Sequence, residues 1–553
     1  MFAPTEISPN GQRPPANGRV LIIGLDGATF DLIEPWAAAG HLPNMARLMD
    51  KGAWGRLNST IPAHSGPAWA SFATGVLPGK HGVYFFLGPS RDEQYFRPLS
   101  ADTIRGRRFW ELAGDQGRTV GIVNVPLTFP LRPVNGYLIA GLFAPDAASA
   151  FSSPELYQEV MAHVGGYVVE ANDSRSRQTY LDDMMEGMRL RCKTAEYLMD
   201  HHPTDLMVVV FRMIDSIMHN YWGDLDPHHP LRAQLGDNLI PNAILDAYRY
   251  LDEAVGRLVD KAGSDTTVFI MSDHGFRAEY KRYSVNKWLR EQGLLTLKRG
   301  RGPLTTMIGL LVKRLGLAKL AKRTLHQMTG AAWQQAAWAS VDWTRTQVVY
   351  GPGPAFYVNL QGRDAQGIVS PAEYEPLRQR LMTEFKKLRD PENGLPIVAE
   401  VYRPEDIYQG EAIDLAPDLV PEPAEYVTDG RRWGYGFEPF PAATWDYRTL
   451  PRYAGAHAQE GIFIAYGPQI ANGSDKNVHI ADLAPTTLYA MGLPVPAAMD
   501  GQVRTELFNE SRLGANPVQY SELEIASEGR SGQVMADEDE ARVEARLREL
   551  GYL

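Results

Sequence analysis

The 553-residue chain is 44% hydrophobic and 22% charged, which is the composition of a folded globular protein and excludes a disordered, collagenous or coiled-coil one. Its 55 Lys and Arg against 66 Asp and Glu leave a net charge of −11, the wrong sign for a generic nucleic-acid binder. The lone cysteine, Cys192, excludes an internal disulfide and a thiolate zinc site, and no apolar run reaches the roughly 18 residues of a membrane-spanning helix.

Residues 1–18 read as a flexible tail, and Met1 to Arg19 carry no apolar core of the kind a signal peptide needs. A cytoplasmic protein is expected. Val20 to Leu25 then form an apolar run ending in the Gly-flanked carboxylate of Asp26. This is the pattern of a buried parallel strand, and ligands of open α/β sheets bind at the C-terminal ends of such strands. A helix is expected from Leu32 to Met49. Further strands are predicted over 119–126, 205–211, 266–275 and 461–468, with helices over Tyr180–His201, Asn242–Ala262 and Leu483–Met491. Strands alternating with helices predict an α/β fold, a mostly parallel central sheet covered on both faces.

Two stretches interrupt the alternation. Residues 293–341 contain no Asp or Glu, and Lys298 to Arg323 are rich in Lys and Arg. This predicts a basic helical insertion or cap, with packing on the main domain favoured over contact with an anionic membrane surface through 298–323. Phe437–Tyr453 is aromatic and Pro-rich and reads as a long loop. The core is expected over 19–292 and 342–510. Residues 511–553 form a C-terminal tail with a surface helix over Asp537–Leu550.

Ligand-type side chains gather at the strand ends. Asp26 ends the first strand and Asp273-His274 end another. Asp215 and His219 follow the strand 205–211, and their four-residue spacing places both on one face of a helix. His457 precedes a late strand. Alone, each is an ordinary turn former, helix cap or solvated residue. Together they are an oxygen and imidazole set suited to zinc or manganese. Ser65, ahead of Gly66-Pro67 and a predicted helix, is either a simple N-cap or a nucleophile where backbone N–H groups favour a phosphate. His201-His202 and His228-His229 precede prolines and read as turn residues. His64 reads as packing or solvated, and Tyr84, Phe85 and Trp222 as core or pocket wall.

These pieces resemble the alkaline phosphatase superfamily, and within it the type I phosphodiesterase/nucleotide pyrophosphatase group, in its predicted phosphohydrolase or phosphomutase branch. The matching segments are Gly24-Leu25-Asp26-Gly27-Ala28, Pro67-Ala68-Trp69-Ala70-Ser71-Phe72 with Thr74-Gly75, and Pro78-Gly79-Lys80-His81-Gly82. They continue with Asp215 to His219, Ser272-Asp273-His274-Gly275-Phe276, Gly455-Ala456-His457, Asp482 to Thr486, and Met499-Asp500-Gly501. The resemblance implies two divalent ions, zinc or alternatively manganese. Asp215, His219 and His457 would hold one. Asp26, Asp273 and His274 would hold the other, with Ser65 bound to it as the nucleophile. The group's nucleophile stands ten residues before the Gly of the Thr-Gly pair, and here that position is Ser65.

The Asn that follows the His-Gly pair in the group is absent here, where Tyr84-Phe85-Phe86-Leu87 stand. Gly66, Lys80, Asn124 and Arg212 are the candidates to hold phosphoryl oxygens in its place. The expected activity is hydrolysis of a phosphodiester or pyrophosphate through a phosphoseryl intermediate. Its substrate would be a small-molecule phosphate ester or nucleotide, and nucleic acid is not an expected partner. A phosphomutase or phosphomonoesterase of the same superfamily is the nearest alternative. A binding protein that retains the fold without catalysis is the alternative of another class. A sulfatase is disfavoured, because Ser65-Gly66-Pro67-Ala68-Trp69 lacks the Arg of that branch.

Overall fold

The computed structural model describes residues 18–90, 95–171, 176–298, 338–351, 353–438 and 454–523. The first strand, β1 (Val20–Leu25), is buried along its whole length, as a strand covered on both faces must be. It forms the centre of an eight-stranded sheet with β2 (Ala53–Asn58), β3 (Val120–Val123), β4 (Gly136–Ile139), β5 (Leu206–Phe211) and β6 (Thr267–Met271). The second sheet contributes β7 (Gly275–Ser284), β8 (Glu425–Thr428), β9 (Arg431–Glu438) and β10 (Gly455–Ala458). The chain returns to the first sheet with β11 (Glu460–Tyr466) and β12 (Val478–His479).

The order across the large sheet is β12-β2-β11-β6-β1-β5-β3-β4. All pairs are parallel except those made by β11, which runs antiparallel to both β2 and β6. In register, Leu25 faces Phe211, and Gly24 faces Met271. The C-terminal ends of β1, β5 and β6 are therefore level. That alignment places Asp26, Arg212 and Ser272-Asp273-His274 along one edge.

Helices α1 (Phe30–Ala38) and α2 (Pro43–Lys51) replace the single helix expected over Leu32–Met49. Gly40 has φ +79°, and Pro43 starts the second helix because it cannot donate to a preceding turn. Helix α3 (Ser65–Thr74) follows β2. The longer α4 (Arg177–His201), α5 (Met213–Leu225) and α6 (Ala243–Ala262) pack against one another. In α6, buried Ile244, Ala247, Tyr248, Leu251, Val255, Leu258 and Val259 recur at helical spacing and form its apolar face. Helix α7 (Leu483–Ala490) packs on α3.

The second sheet runs β8-β9-β7-β10, with β9 parallel to β7 and β10 antiparallel to it. Its neighbourhood has its own apolar core, built on Trp288, Tyr350, Phe356, Phe385 and Tyr435. Of the basic stretch 293–341, the described ends meet in a bridge between Leu297 and Val341, and the Lys298 amide donates to Ser340. The remainder of that stretch, the segment 439–453 and the expected helix over Asp537–Leu550 lie outside the described residues. Among the described residues no helix is long and apolar enough to cross a membrane.

Candidate active site

Ser65 is the first residue of α3, and His64 rather than Ser65 is its N-cap. The His64 ring accepts the Gly66 amide at Nδ1, 3.1 Å away, and packs on Phe85 at 4.2 Å between ring centroids. Pro67 has no N–H, so the first turn offers fewer amides to an anion than an ordinary helix N-terminus. Ser65 is fully buried, and its Oγ lies 3.1 Å from His274 Nε2 and 3.4 Å from Asp26 Oδ1.

Asp26, Asp273 and His274 converge beside it, with one ligand atom of each within 4.8 Å of the others. All three are fully buried. Trp69 Nε1 donates to Asp26 Oδ2, and the Gly27 amide donates to Asp273 Oδ1. Both contacts depend on missing side chains. A Cβ on Gly24 would lie 2.7 Å from the Trp69 ring, and Gly27 has φ +73°, a left-handed conformation that glycine adopts without strain.

Asp215, His219 and His457 form a second group within the same 4.8 Å span. Asp215 and His219 lie on the first turns of α5, and His457 comes from β10. His219 Nε2 and His457 Nε2 are 3.0 Å apart, and each lies 3.3–3.4 Å from Asp215 Oδ1. The two groups are contiguous, because the His274 and His457 rings stack with centroids 3.7 Å apart.

The donor chemistry fits metal ions. The Nδ1 atoms of His219, His457 and His274 lie 2.8, 3.1 and 3.0 Å from the carbonyls of Gly455, Ala63 and Gly275. A carbonyl only accepts, so each neutral ring carries its proton at Nδ1 and turns the Nε2 lone pair inward. Asp215 Oδ1 and Asp273 Oδ2 are buried, and among the described residues no donor meets either in full hydrogen-bonding geometry. Lone pairs from imidazoles and carboxylates thus face one another in each group. A divalent cation between them would remove the repulsion.

The titration behaviour agrees. Burial, with the charges of Asp273 and Asp215, pushes Asp26 well above the carboxylate range. Burial and Asp215 push Asp273 up to about 6. Burial pushes His274 well below the usual imidazole range, and His457 adds to that. His219 falls to about 4, burial outweighing the opposing pull of Asp215. Burial would raise Asp215 too, but His219, His457 and Arg212 outweigh it and hold that carboxylate ionised.

The four residues expected to hold phosphoryl oxygens are engaged elsewhere. The Gly66 amide is taken by His64. Lys80 Nζ pairs with Asp500 Oδ1 at 2.5 Å and donates to the Ala498 carbonyl. Asn124, with φ +64°, donates its side-chain amide to the Val210 carbonyl. The Arg212 guanidinium is gripped by both oxygens of Glu170. Tyr84 donates to the Ala412 carbonyl in a side cluster with Tyr408, and Trp222 stacks on Phe276 behind His219. His201 and His202 close α4, as turn residues do.

For three structural contributors to the site, the local sequence does not show the role. Glu170 lies 42 residues from the Arg212 it grips. His229 donates from Nε2 toward the carbonyls of Glu279 and Ala454, fixing the entry to β10, while the Ala454 amide donates to the His219 carbonyl. Trp69 stands in a quoted motif, but only the fold reveals its bond to Asp26.

The family model for type I phosphodiesterase/nucleotide pyrophosphatase matches residues 20–438. No curated protein matches the chain. Among solved structures, phosphonoacetate hydrolase from Sinorhizobium meliloti 1021, in complex with phosphonoformate, is 15% identical with a TM-score of 0.52, over 87% of this chain and 97% of that one. Murine ectonucleotide pyrophosphatase/phosphodiesterase 5, as an inactive variant in complex with AMP, is 13% identical with a TM-score of 0.50, over 89% of this chain and 100% of that one. At these identities the likeness is one of fold. With its model matched over well more than half the sequence, this chain belongs to the type I phosphodiesterase/nucleotide pyrophosphatase family of the alkaline phosphatase superfamily, a family of hydrolases acting on phosphoric ester bonds.

Proposed function

We propose that the protein hydrolyses phosphodiester or pyrophosphate bonds of a small molecule or nucleotide, with Ser65 as the nucleophile. The observation that carries this is the placement of Ser65 Oγ, 3.1 Å from His274 Nε2 and 3.4 Å from Asp26 Oδ1, inside one of two contiguous ligand groups. Asp26, Asp273 and His274 would hold one divalent ion, and Asp215, His219 and His457 the other, with zinc favoured by the donor set and manganese admissible. Such ions, when bound, supply charge stabilisation to the attacking and leaving oxygens of an in-line displacement.

The chain's own residues do the rest. Ser65 Oγ loses its proton and forms a bond to phosphorus as the bond from phosphorus to the leaving oxygen breaks, and the leaving oxygen takes up a proton. Water then attacks the same phosphorus, its oxygen bonding to phosphorus as the Oγ–P bond breaks, and the proton that water gives up balances the one that restores the Ser65 hydroxyl. Trp69 and the Gly27 amide keep Asp26 and Asp273 oriented, and the carbonyls on Nδ1 keep the imidazoles in one tautomer.

The preference for a diester follows from charge. A monoester dianion calls for cationic side chains on its non-bridging oxygens. Of the two basic candidates, Lys80 is held by Asp500 and Arg212 by Glu170. A diester carries less charge and leaves less to neutralise. The phosphonoformate and AMP named for the two relatives support a phosphoryl anion as the ligand class. The test compares kcat/KM for a bis-aryl phosphate and the matching aryl monoester, with zinc and with manganese. A tenfold or greater diester preference is expected, about 1.4 kcal/mol of transition-state discrimination. A tenfold monoester preference overturns the assignment.

A further inference from the structure

Behind Asp215 lies a buried ion pair that the reaction does not use directly. The side chains of Glu170 and Arg212 are 2% and 1% exposed. Arg212 Nη2 donates to Glu170 Oε2 at 2.6 Å, and Arg212 Nε donates to Glu170 Oε1. The same guanidinium donates from Nη2 to Ser216 Oγ at 2.9 Å, and from Nη1 to Asp215 Oδ2 at 3.4 Å. Asp215 is therefore divided. Its Oδ2 faces a cation, and its Oδ1 faces His219 and His457.

The pair is itself anchored. Arg191, buried on α4, donates to the carbonyls of Val168 and Val169 and lies over the Tyr167 ring, 4.4 Å from its centroid. These contacts hold the backbone next to Glu170. A continuous line of contacts runs from α4 through residues 167–170 and Arg212 to Asp215.

We infer that Glu170 and Arg212 are positioning residues for the metal ligand Asp215, Arg212 fixing which carboxylate oxygen faces the imidazoles and Glu170 neutralising Arg212. The inference rests on the two-ion reading of the site. Arg212 alone would place an uncompensated buried cation beside a cation site, opposing the ion that Asp215 is there to attract. With Glu170 the pair is neutral, and the full charge of Asp215 serves the ligand group. The bidentate fork also limits rotation of the guanidinium, and through it rotation of the carboxylate. Supporting residues of this kind govern metal affinity about 10- to 100-fold in other sites.

The test measures Co2+ binding to the full-length protein by visible absorption and by competition with a chelating dye, alongside steady-state kinetics. Glu170→Gln is expected to weaken one of two Co2+ equivalents at least tenfold, to alter its d–d bands and to leave the other equivalent unchanged. Arg212→Lys, which keeps the charge but loses the fork, should fall between the native protein and Glu170→Gln. If Glu170→Gln fails to fold, the double variant Glu170→Leu with Arg212→Met removes both charges together, a replacement buried ion pairs often tolerate. It should fold and still lose affinity for the same equivalent. Two ions bound by the native protein, with affinities and bands unchanged in a folded variant, would overturn the positioning role alone. A native protein that binds no Co2+ would overturn the two-ion reading and this inference with it.

Discussion

The two ligand groups are built by different means. Asp26, Asp273 and His274 all follow adjacent parallel strands of the central sheet, and all are fully buried. Every backbone segment that carries them is fixed by the sheet ladder. Asp215, His219 and His457 join a helix to a strand of the second sheet, and the His219 and His457 side chains are 18% and 12% exposed. The first group belongs to the core and the second to a junction. Its integrity depends on how β10 is held against α5, which is the work of the Ala454 amide on the His219 carbonyl and of His229 on the Ala454 carbonyl. Ser65, the proposed nucleophile, sits in the core group, where a displacement reaction would tolerate least movement. The junction group is the more open of the two, and under the proposed reaction it would leave a departing group room.

The largest expected effect breaks the core side. Ser65→Ala should cost about 10³-fold or more in turnover, measured on a bis-aryl phosphate, with metal content and thermal midpoint near native. Activity close to native would place the nucleophile elsewhere.

The next prediction sets the two groups against each other. Loading the native protein at about a thousand times Kd should add about 4 kcal/mol of stability for each ion bound, lost on chelation. His457→Gln should abolish binding of one ion and leave the second bound, seen as metal per protein after dialysis. Asp273→Asn should remove the other ion and also lower the thermal midpoint of the chelated protein more than His457→Gln does, because it disturbs a bond to the Gly27 amide inside the core. Loss of both ions in either variant would show that the groups bind as one unit.

A smaller effect concerns a core residue that packs on α3. His81 is fully buried, accepts the Val83 amide at Nδ1, and lies 2.9 Å from Ser71 Oγ through Nε2. Burial pushes its pKa down to about 3, against 6.5 for a free imidazole. Above about pH 6.5 the ring is neutral in the folded and unfolded chains, and its contribution is complete. Below that, the unfolded chain binds a proton that the folded chain refuses. Stability therefore falls as pH drops toward 3, by at most about 1.4 kcal/mol per pH unit. Chemical denaturation in chelator at pH 7 and pH 5 should show a larger loss for the native protein than for His81→Gln. Identical losses would remove His81 as a cause.

Much of this arrangement was readable before any coordinates. Asp26 and Asp273-His274 stand out because an apolar run ending in Gly-flanked polar residues is a local pattern with a local cause. The four-residue spacing of Asp215 and His219 is likewise local, and both residues do share a helix face. What was hidden is what depends on pairing across the chain. The antiparallel course of β11 has the same apolar signature as a parallel strand. His64 displaces Ser65 as the cap because an imidazole in that rotamer reaches the Gly66 amide, and composition does not report rotamers. Glu170 carries no mark at all until the fold brings Arg212 to it.

The smallest predicted effect tests whether that distinction holds for Lys80. By sequence it stands in a motif beside the nucleophile helix and has the charge to bind a phosphoryl oxygen. In the fold its ammonium reaches Asp500 and the Ala498 carbonyl, and Asp500 also accepts the Leu77 amide through its other oxygen. The ion pair is partly exposed, with the two side chains 39% and 23% accessible. Water and salt screen such a pair, so its loss should cost no more than about 1 kcal/mol of stability. Lys80→Ala should leave kcat/KM for a bis-aryl phosphate within about twofold of native, a barrier change of under about 0.5 kcal/mol. It should also leave unchanged the ratio of diester to monoester hydrolysis. A drop confined to the monoester would mean that the ammonium leaves Asp500 for a dianionic substrate. Lys80 would then be a phosphoryl ligand, and the charge argument for a diester would lose one of its two supports.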